Sequence, residues 1–323
     1  MHGIDRAGHN PVGAAVPAPS VRLSMQVSAS YGLRQLICTL QELSGNGSLL
    51  LLCCAMAWCE VICMFGRKCA IIGVVHVLPL PGSAGFRGSM EEILGGVLED
   101  ALTYKEEGVD ALLVENMHDA PYLKGYVDPE TTAAMTVVAN AVKYECMLPV
   151  GIQILAGANL EALGVAVATG LDFIRVEGFV FAHVGDEGMQ ESCAPQLIRR
   201  RALLKSERIK IFADIKKKHS AHAITQDVGL VETARTAEFF GADGVVITGR
   251  MTGAPANVEE VKDARLAVLG RVLVGSGITP DNVHLYSPYC DAVIVGSALK
   301  YGGTWRNHVD PERVRLLVER AGK

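Results

Sequence analysis

Asp214, Lys216 and Lys218 alternate with Ile215 and Lys217 at the end of an apolar run that begins at Ile209. In an extended strand that spacing puts the three polar side chains on one face. A carboxylate beside ammonium groups in a partly dry pocket suits proton transfer or the stabilisation of a carbanion, since each charge lowers the penalty of burying the other. Arg175 and Glu177 close a second apolar run with the same spacing, His76 ends a third and Glu115 a fourth. His76 with Glu115 forms either a further acid/base pair or, together with Asp214, a ligand set for a divalent metal. Bland readings stand beside these. Arg175 with Glu177 or Glu115 is equally readable as a structural ion pair in a barrel's upper layer. Lys217 and the run Arg199-Arg200-Arg201 read as solvated surface, and His219 and His222 as solvent-facing loop residues.

A different chemistry is written near the C-terminus. The strand Val272–Val274 runs into Gly275-Ser276-Gly277, and the strand Ala292–Val295 into Gly296-Ser297. Thr279 at an N-cap, Pro280 in the first turn and Asp281 beside it predict a helix after the first loop, and Ala298-Leu299-Lys300 continues from the second. Bare amides and helix N-termini at two adjacent strand ends suit a dianion, so Gly275, Ser276, Gly277, Gly296 and Ser297 are candidate phosphate-binding residues. Each loop alone would read as an ordinary tight turn.

These residues need a scaffold that brings many strand ends together. From Cys69 onward the chain alternates short apolar runs with amphipathic segments, giving strands at 70–76, 110–115, 150–155, 172–176, 209–215, 243–248, 272–274 and 292–295, with helices between them. That count predicts either a long doubly wound sheet or a closed (β/α)8 barrel, and a phosphate pair at the seventh and eighth strands favours the barrel. Polar strand-tip residues then include Asn116, Gln153, Thr248 and Arg250. The triplets Gly108-Val109-Asp110, Gly170-Leu171-Asp172 and Gly241-Ala242-Asp243 read as structural turns on the opposite face, where helices hand over to strands. Two longer loops, at 118–128 and 178–194, are placed to be lids or oligomer contacts.

Composition bounds the partners. Half of the 323 residues are apolar, a fifth are charged, and the net charge of −5 gives no footprint for nucleic acid. The apolar run 49–59 is interrupted by Glu60, too short for a transmembrane helix. Residues 1–63 lack the strand-helix rhythm and read as a loosely packed or unstructured extension, with a weak transit-peptide character from Arg6, Arg22 and Arg34. Cys53, Cys54, Cys59 and Cys63 have no metal-type pairing, and Cys69, Cys146, Cys193 and Cys290 read as packed thiols of a reduced, intracellular protein, cytoplasmic or in the mitochondrial matrix.

Several of these segments together resemble one family. Gly73–His76 with Leu78-Pro79-Leu80-Pro81-Gly82, Asp110–Asn116 with Asp119, Phe173–Val176 with Asp186-Glu187-Gly188, Ile247-Thr248-Gly249 with Thr252-Gly253, and the stretches GSGITPDN and IVGSALKYGGTW are similar to the BtpA/SgcQ family over about residues 68–320. The resemblance implies a TIM barrel of the ribulose-phosphate-binding kind. It also implies a family named for photosystem I biogenesis, some of whose members lie beside genes of sugar-phosphate metabolism, and it brings no defined reaction or cofactor. Two functions follow as expectations. One is an enzyme using Asp214 and Lys216 for acid/base work on a phosphorylated small molecule oriented by His76, Glu115 and Arg175. The other is a non-catalytic assembly factor for a membrane-bound complex.

Overall fold

The computed structural model describes residues 64–65, 69–249, 251 and 253–322. Residues 1–63, with the extension and its five cysteines, lie outside the described residues, as do Arg250 and Thr252. Within the compact unit Met56–Lys323 the barrel strands are β1 (Ala70–His76), β2 (Ala111–Glu115), β3 (Val150–Gln153), β4 (Phe173–Val176), β7 (Lys210–Ile215), β9 (Gly244–Thr248), β10 (Arg271–Gly275) and β11 (Ala292–Val295). All pair in parallel and β11 returns to β1, closing an eight-stranded barrel. Around it lie α1 (Met90–Glu106), α2 (Pro129–Cys146), α3 (Asn159–Thr169), α4 (Ala194–Leu203), α5 (Leu230–Phe239), α6 (Val258–Ala267), α7 (Val283–Tyr286) and α8 (Pro311–Arg320).

Strand parity sorts the side chains into two cores. One set, including Ile72, Val74, Leu113, Phe173, Phe212, Val246, Leu273 and Ile294, fills the barrel, and Phe65 packs with it through an edge contact to Phe173 at 6.2 Å. The alternate set, such as Ile71, Val75, Leu112 and Ile174, faces the helices. Continuing the inward parity to the C-terminal strand ends brings up His76, Glu115, Gln153, Arg175, Asp214, Thr248, Gly275 and Gly296. Apart from Arg271, whose guanidinium lies over the Phe212 ring at 6.0 Å, the layers below are apolar, so this rim is where charge concentrates.

The opposite face is built by a repeated device. Asp110, Asp172, Asp243 and Asp291 precede the second, fourth, sixth and eighth strands around the barrel in chain order, β2, β4, β9 and β11. Each accepts the main-chain N–H of a residue in the neighbouring strand: Ile71 at 2.8 Å, Val150 at 2.7 Å, Ile211 at 3.0 Å and Val272 at 2.8 Å. Gly108, Gly170 and Gly241 take positive φ just before, as a turn from helix to strand requires. These triplets are structural, as their pattern predicts. Arg201 departs from its expected place on the solvated surface: it donates to Asp243 at 2.6 Å and braces the same face.

The segment after β10 also departs from expectation. Asn282, not Thr279, occupies the cap position, and α7 is a single turn; Thr279 sits in the lead-in, its carbonyl accepting from Asn282 and Val283. After β11 the chain makes a 3-10 turn, Ser297–Leu299. Dipoles of one or two turns sum few peptide units, so the helix ends contribute less to an anion site here than two full helices would. Lys300 follows, fully buried, with Nζ 2.6 Å from Asp100 of α1; Asp100 also accepts from the Val309 amide, tying the last loop to the first helix. Among the described residues no helix is long and apolar enough to cross a membrane.

Candidate active site

At the centre of the rim the Arg175 guanidinium grips Asp214 from the adjacent strand with two parallel bonds, Nε to Oδ1 at 2.9 Å and Nη2 to Oδ2 at 3.0 Å, and both side chains are buried. Such a fork fixes both groups in direction as well as position. The ion pair read as an alternative for Arg175 therefore exists, with Asp214 as its partner. A Cβ at Gly275 would lie 3.4 Å from Arg175 Nη2, so the guanidinium reaches beneath the loop after β10.

Glu177, one residue past β4, is buried and its Oε2 lies 3.4 Å from Lys217 Nζ. Burial pushes its carboxyl up to about 7, with Lys217 the main opposing influence. Lys217 is not solvated, as sequence reading expects, but 6% exposed and enclosed by Glu177 and Glu187, the latter at 3.1 Å. Burial opposes its charge, yet the two carboxylates outweigh burial and hold the ammonium above its ordinary range. Glu187 arrives on a hairpin, β5 (His183–Gly185) with β6 (Gly188–Gln190), which joins β8 (Ser220–Ala221) in a small antiparallel sheet. The loop expected as a lid or oligomer contact is thus pinned to the strand-five loop by a buried ion pair.

The three lysines diverge because β7 ends at Ile215. Lys216 takes φ +50°, which breaks the alternation expected to put it on the face of Asp214. Its Nζ donates to the Thr225 carbonyl at 3.1 Å, and it lines a groove of about 1000 Å³ between the loops after β7 and β9, with His222, Gln226, Thr248, Met251 and Asn257. Lys218 is half-buried and interacts electrostatically with Arg175, Glu115, Asp214 and Glu177, with His76 also in its field. Burial first, and Arg175 second, lower its pKa.

His76 stays neutral, its pKa lowered to about 3 by burial and then by Lys300. With Nδ1 2.9 Å from the Trp305 carbonyl, the neutral ring carries its proton there and leaves Nε2 as an acceptor facing Gly296, where a Cβ would come to 3.0 Å. Trp305 packs against His118 with the rings tilted and their centroids 4.7 Å apart, and lies under Arg306 at 4.1 Å. Sequence reading missed Trp305, Lys217 and Glu187 as members of the rim. The only prior signals were the Gly302-Gly303 pair before Trp305 and the acid pair between glycines at 185 and 188. Asn116 and Asp119 brace the loops, accepting from the amides of Leu155 at 2.7 Å and Leu80 at 2.8 Å.

Gly275, Ser276, Gly277, Gly296 and Ser297 are brought to the same end of the barrel on adjacent strands. Ser276 takes φ +77°, and among the described residues its buried Oγ has no hydrogen-bond partner; nor do Oγ1 of Thr248 or Oε1 of Gln153. Gly277 packs against the Ala254–Pro255 backbone, where a Cβ would come to 2.4 Å. Among the described residues no group of three or more His, Cys, Asp or Glu is placed to hold a metal ion, so His76, Glu115 and Asp214 are not assembled as ligands.

The fold recurs in solved enzymes of low identity. Tryptophan synthase of Mycobacterium tuberculosis superposes with a TM-score of 0.52 at 15% identity, over 84% of this chain and 96% of that one. Orotidine 5'-monophosphate decarboxylase of Methanocaldococcus jannaschii, solved with the inhibitor BMP, gives 0.51 at 16%, over 80% and 100%. Closer relatives by sequence include an uncharacterized mitochondrial protein of Caenorhabditis elegans, 45% identical over 77% of this chain and 91% of its own. An uncharacterized Pyrococcus abyssi protein is 42% identical over 77% and 94%. The photosystem I biogenesis protein BtpA of Synechocystis is 36% identical over 77% and 86%. The BtpA family model matches residues 67–323, the whole barrel, and the chain belongs to the BtpA family.

Proposed function

We propose that the chain is an enzyme acting on a phosphorylated small molecule, a phosphosugar or a related compound, by acid/base lyase or isomerase-type chemistry at the C-terminal mouth of the barrel. The observation that carries this reading is the rim itself. Glu115, Arg175, Glu177 and Asp214 are gathered above the mainly apolar layers of the barrel interior, beside buried hydroxyls of Thr248 and Ser276 that have no partner among the described residues. Buried charges carry a desolvation cost that pairing at best offsets, so a cluster of them beside unsatisfied hydroxyls favours a site that serves a bound group. In this assignment the 275–277 and 296–297 loops hold the phosphate, His76 accepts a hydrogen bond beside it, and Arg175 and Glu115 orient the reacting end. Asp214 and Glu177 are the acid/base candidates at the rim, whereas Lys216, expected to act with Asp214, is turned to the Thr225 carbonyl in the adjoining groove.

The test is a thermal-shift screen of the full chain against inorganic phosphate, sugar phosphates and nucleotides. A ligand at about 100 times its Kd adds roughly 2.7 kcal/mol, a shift of several degrees. Ser297→Asp places a carboxylate where the anion would sit and is expected to abolish the shift. Silence across the series would overturn the phosphate assignment. A second reading, a non-catalytic assembly factor for a membrane-bound complex, draws support from the name of the Synechocystis relative. Full complementation by Asp214→Asn and Lys216→Ala would favour it. The name of the worm relative supports a mitochondrial location, which fractionation would check.

A further inference from the structure

The barrel closes where its first and last strands meet, and two cysteines stand at the foot of that seam. Cys69 immediately precedes β1 and Cys290 stands two residues before β11; their Sγ atoms lie 3.7 Å apart although 221 positions separate them in the chain. Both are buried, Cys69 at 6% and Cys290 at 3% exposure. The backbones that carry them are fixed by the seam itself. The Ala70 amide donates to the Asp291 carbonyl at 2.9 Å, Ala70 pairs with Ala292, and the Cys290 amide donates to the Tyr286 carbonyl at 3.2 Å. The other two described cysteines are placed differently: Cys146 is buried at the end of α2, and Cys193 Sγ accepts from Asn159 Nδ2 at 3.2 Å.

We infer that Cys69 and Cys290 are a reversible thiol–disulfide site, a pair that a small disulfide such as oxidised glutathione converts into a covalent staple between the first and last strands of the barrel. Neighbouring strands hold their backbones about 4.8 Å apart, within the reach of a disulfide. Closing the gap from 3.7 Å to about 2.05 Å moves each sulfur by roughly 0.8 Å. One thiol ionises and its sulfur attacks the small disulfide, which releases one thiolate and leaves a mixed disulfide. The second protein thiol ionises and attacks the first sulfur, the bond between the cysteines forms and the second small thiolate leaves. The two protons given up by the cysteines end on the two leaving thiolates; the protein pair is oxidised by two electrons and the small disulfide is reduced by two. A mixed disulfide does not fit a buried position, so the first attack waits on a local opening, for which the 287–289 turn beside Cys290, with Pro288 exposed, is placed. The second attack is fast, because the partner sulfur is already at hand.

The cross-link spans 221 positions, so it removes much of the unfolded chain's freedom. Its place is the foot of the same two strands that carry His76 and the Gly296-Ser297 loop at their upper ends, so it locks the seam without touching the mouth. The inference is independent of the phosphate reading.

The experiment incubates the full chain, without denaturant, with oxidised glutathione at about pH 8.5, where an ordinary thiol is half ionised. Alkylation and peptide mass mapping under non-reducing conditions follow. A peptide pair joined through Cys69 and Cys290 is expected, together with a rise in Tm of more than about 5 °C that dithiothreitol reverses. Cys290→Ser is expected to lose both the joined pair and the rise. Mapping distinguishes this bond from any made by the five cysteines of residues 1–63. Cys69 and Cys290 both alkylated after prolonged oxidation, joined to other partners, or joined to each other only once the chain has been unfolded would overturn the inference. A joined pair that lowers Tm would overturn it too, since the bond would then strain the seam instead of stapling it.

Discussion

Asp214→Ala is expected to lose about 3–5 kcal/mol of stability, because it leaves the Arg175 guanidinium buried without its counter-charge. For a barrel of this size that is a fall in Tm of roughly 10 °C. The value follows from asymmetry: a satisfied buried pair adds little net stability, whereas a stranded charge keeps its desolvation penalty and loses its attraction. The double change Arg175→Met with Asp214→Leu is therefore expected to recover most of the loss, since two apolar side chains of similar volume continue the core formed by Phe173, Phe212 and Val246. Denaturant unfolding of the three variants measures both effects. The double variant also separates stability from function. Its barrel stands, but Arg175 no longer reaches beneath Gly275, so the response to phosphate compounds should be gone. A loss below about 1 kcal/mol for Asp214→Ala would mean that water reaches the guanidinium and that the rim is wetter than its burial implies.

How much of this was legible in the sequence depends on how far regular alternation persists. Within strands the parity rule holds: Phe173 and Arg175, or Phe212 and Asp214, point inward together because the pleat leaves no choice. The Gly-x-Asp triplets were readable for the same reason, since a helix that must end and turn into a strand needs a left-handed residue at a fixed place. Parity stops being a guide where the strand stops. At Lys216 the backbone enters the left-handed region, so Lys216 turns away to the Thr225 carbonyl and Lys217 turns inward to Glu177 and Glu187. Lys217 looked like surface because its two acidic partners lie on other segments, which a linear reading cannot bring together. The helix expected from Thr279 failed differently. Thr, Pro and Asp are good first-turn residues, but Ser287 and Pro288 end the segment after one turn, and Asn282 supplies a competing cap-like side chain to the Thr279 amide.

Glu177 offers the pH-dependent counterpart to the Asp214 prediction. Its carboxyl is raised from an ordinary 4.5 to about 7 in the folded chain. Between those values the folded state holds a proton that the unfolded state has released, so this group's contribution to stability falls as pH rises through the window, by about 3 kcal/mol in all. Glu177→Gln cannot ionise. Its stability relative to the unaltered protein is therefore expected to climb by that amount from about pH 4.5 to 7 and to level off above. The buried histidines act with the opposite sign. His76 and His183, lowered to about 3 and about 4 by burial, add stability that is present above 6.5 and lost as pH falls. They are common to both chains and cancel in the difference, which is why the comparison isolates Glu177. Denaturant midpoints of the pair at pH 5, 6, 7 and 8 measure it. A difference that does not change with pH would mean that Glu177 is ionised throughout, a fixed partner of Lys217. A rising difference would give the rim a carboxyl that exchanges its proton near neutrality, as acid/base chemistry at physiological pH requires.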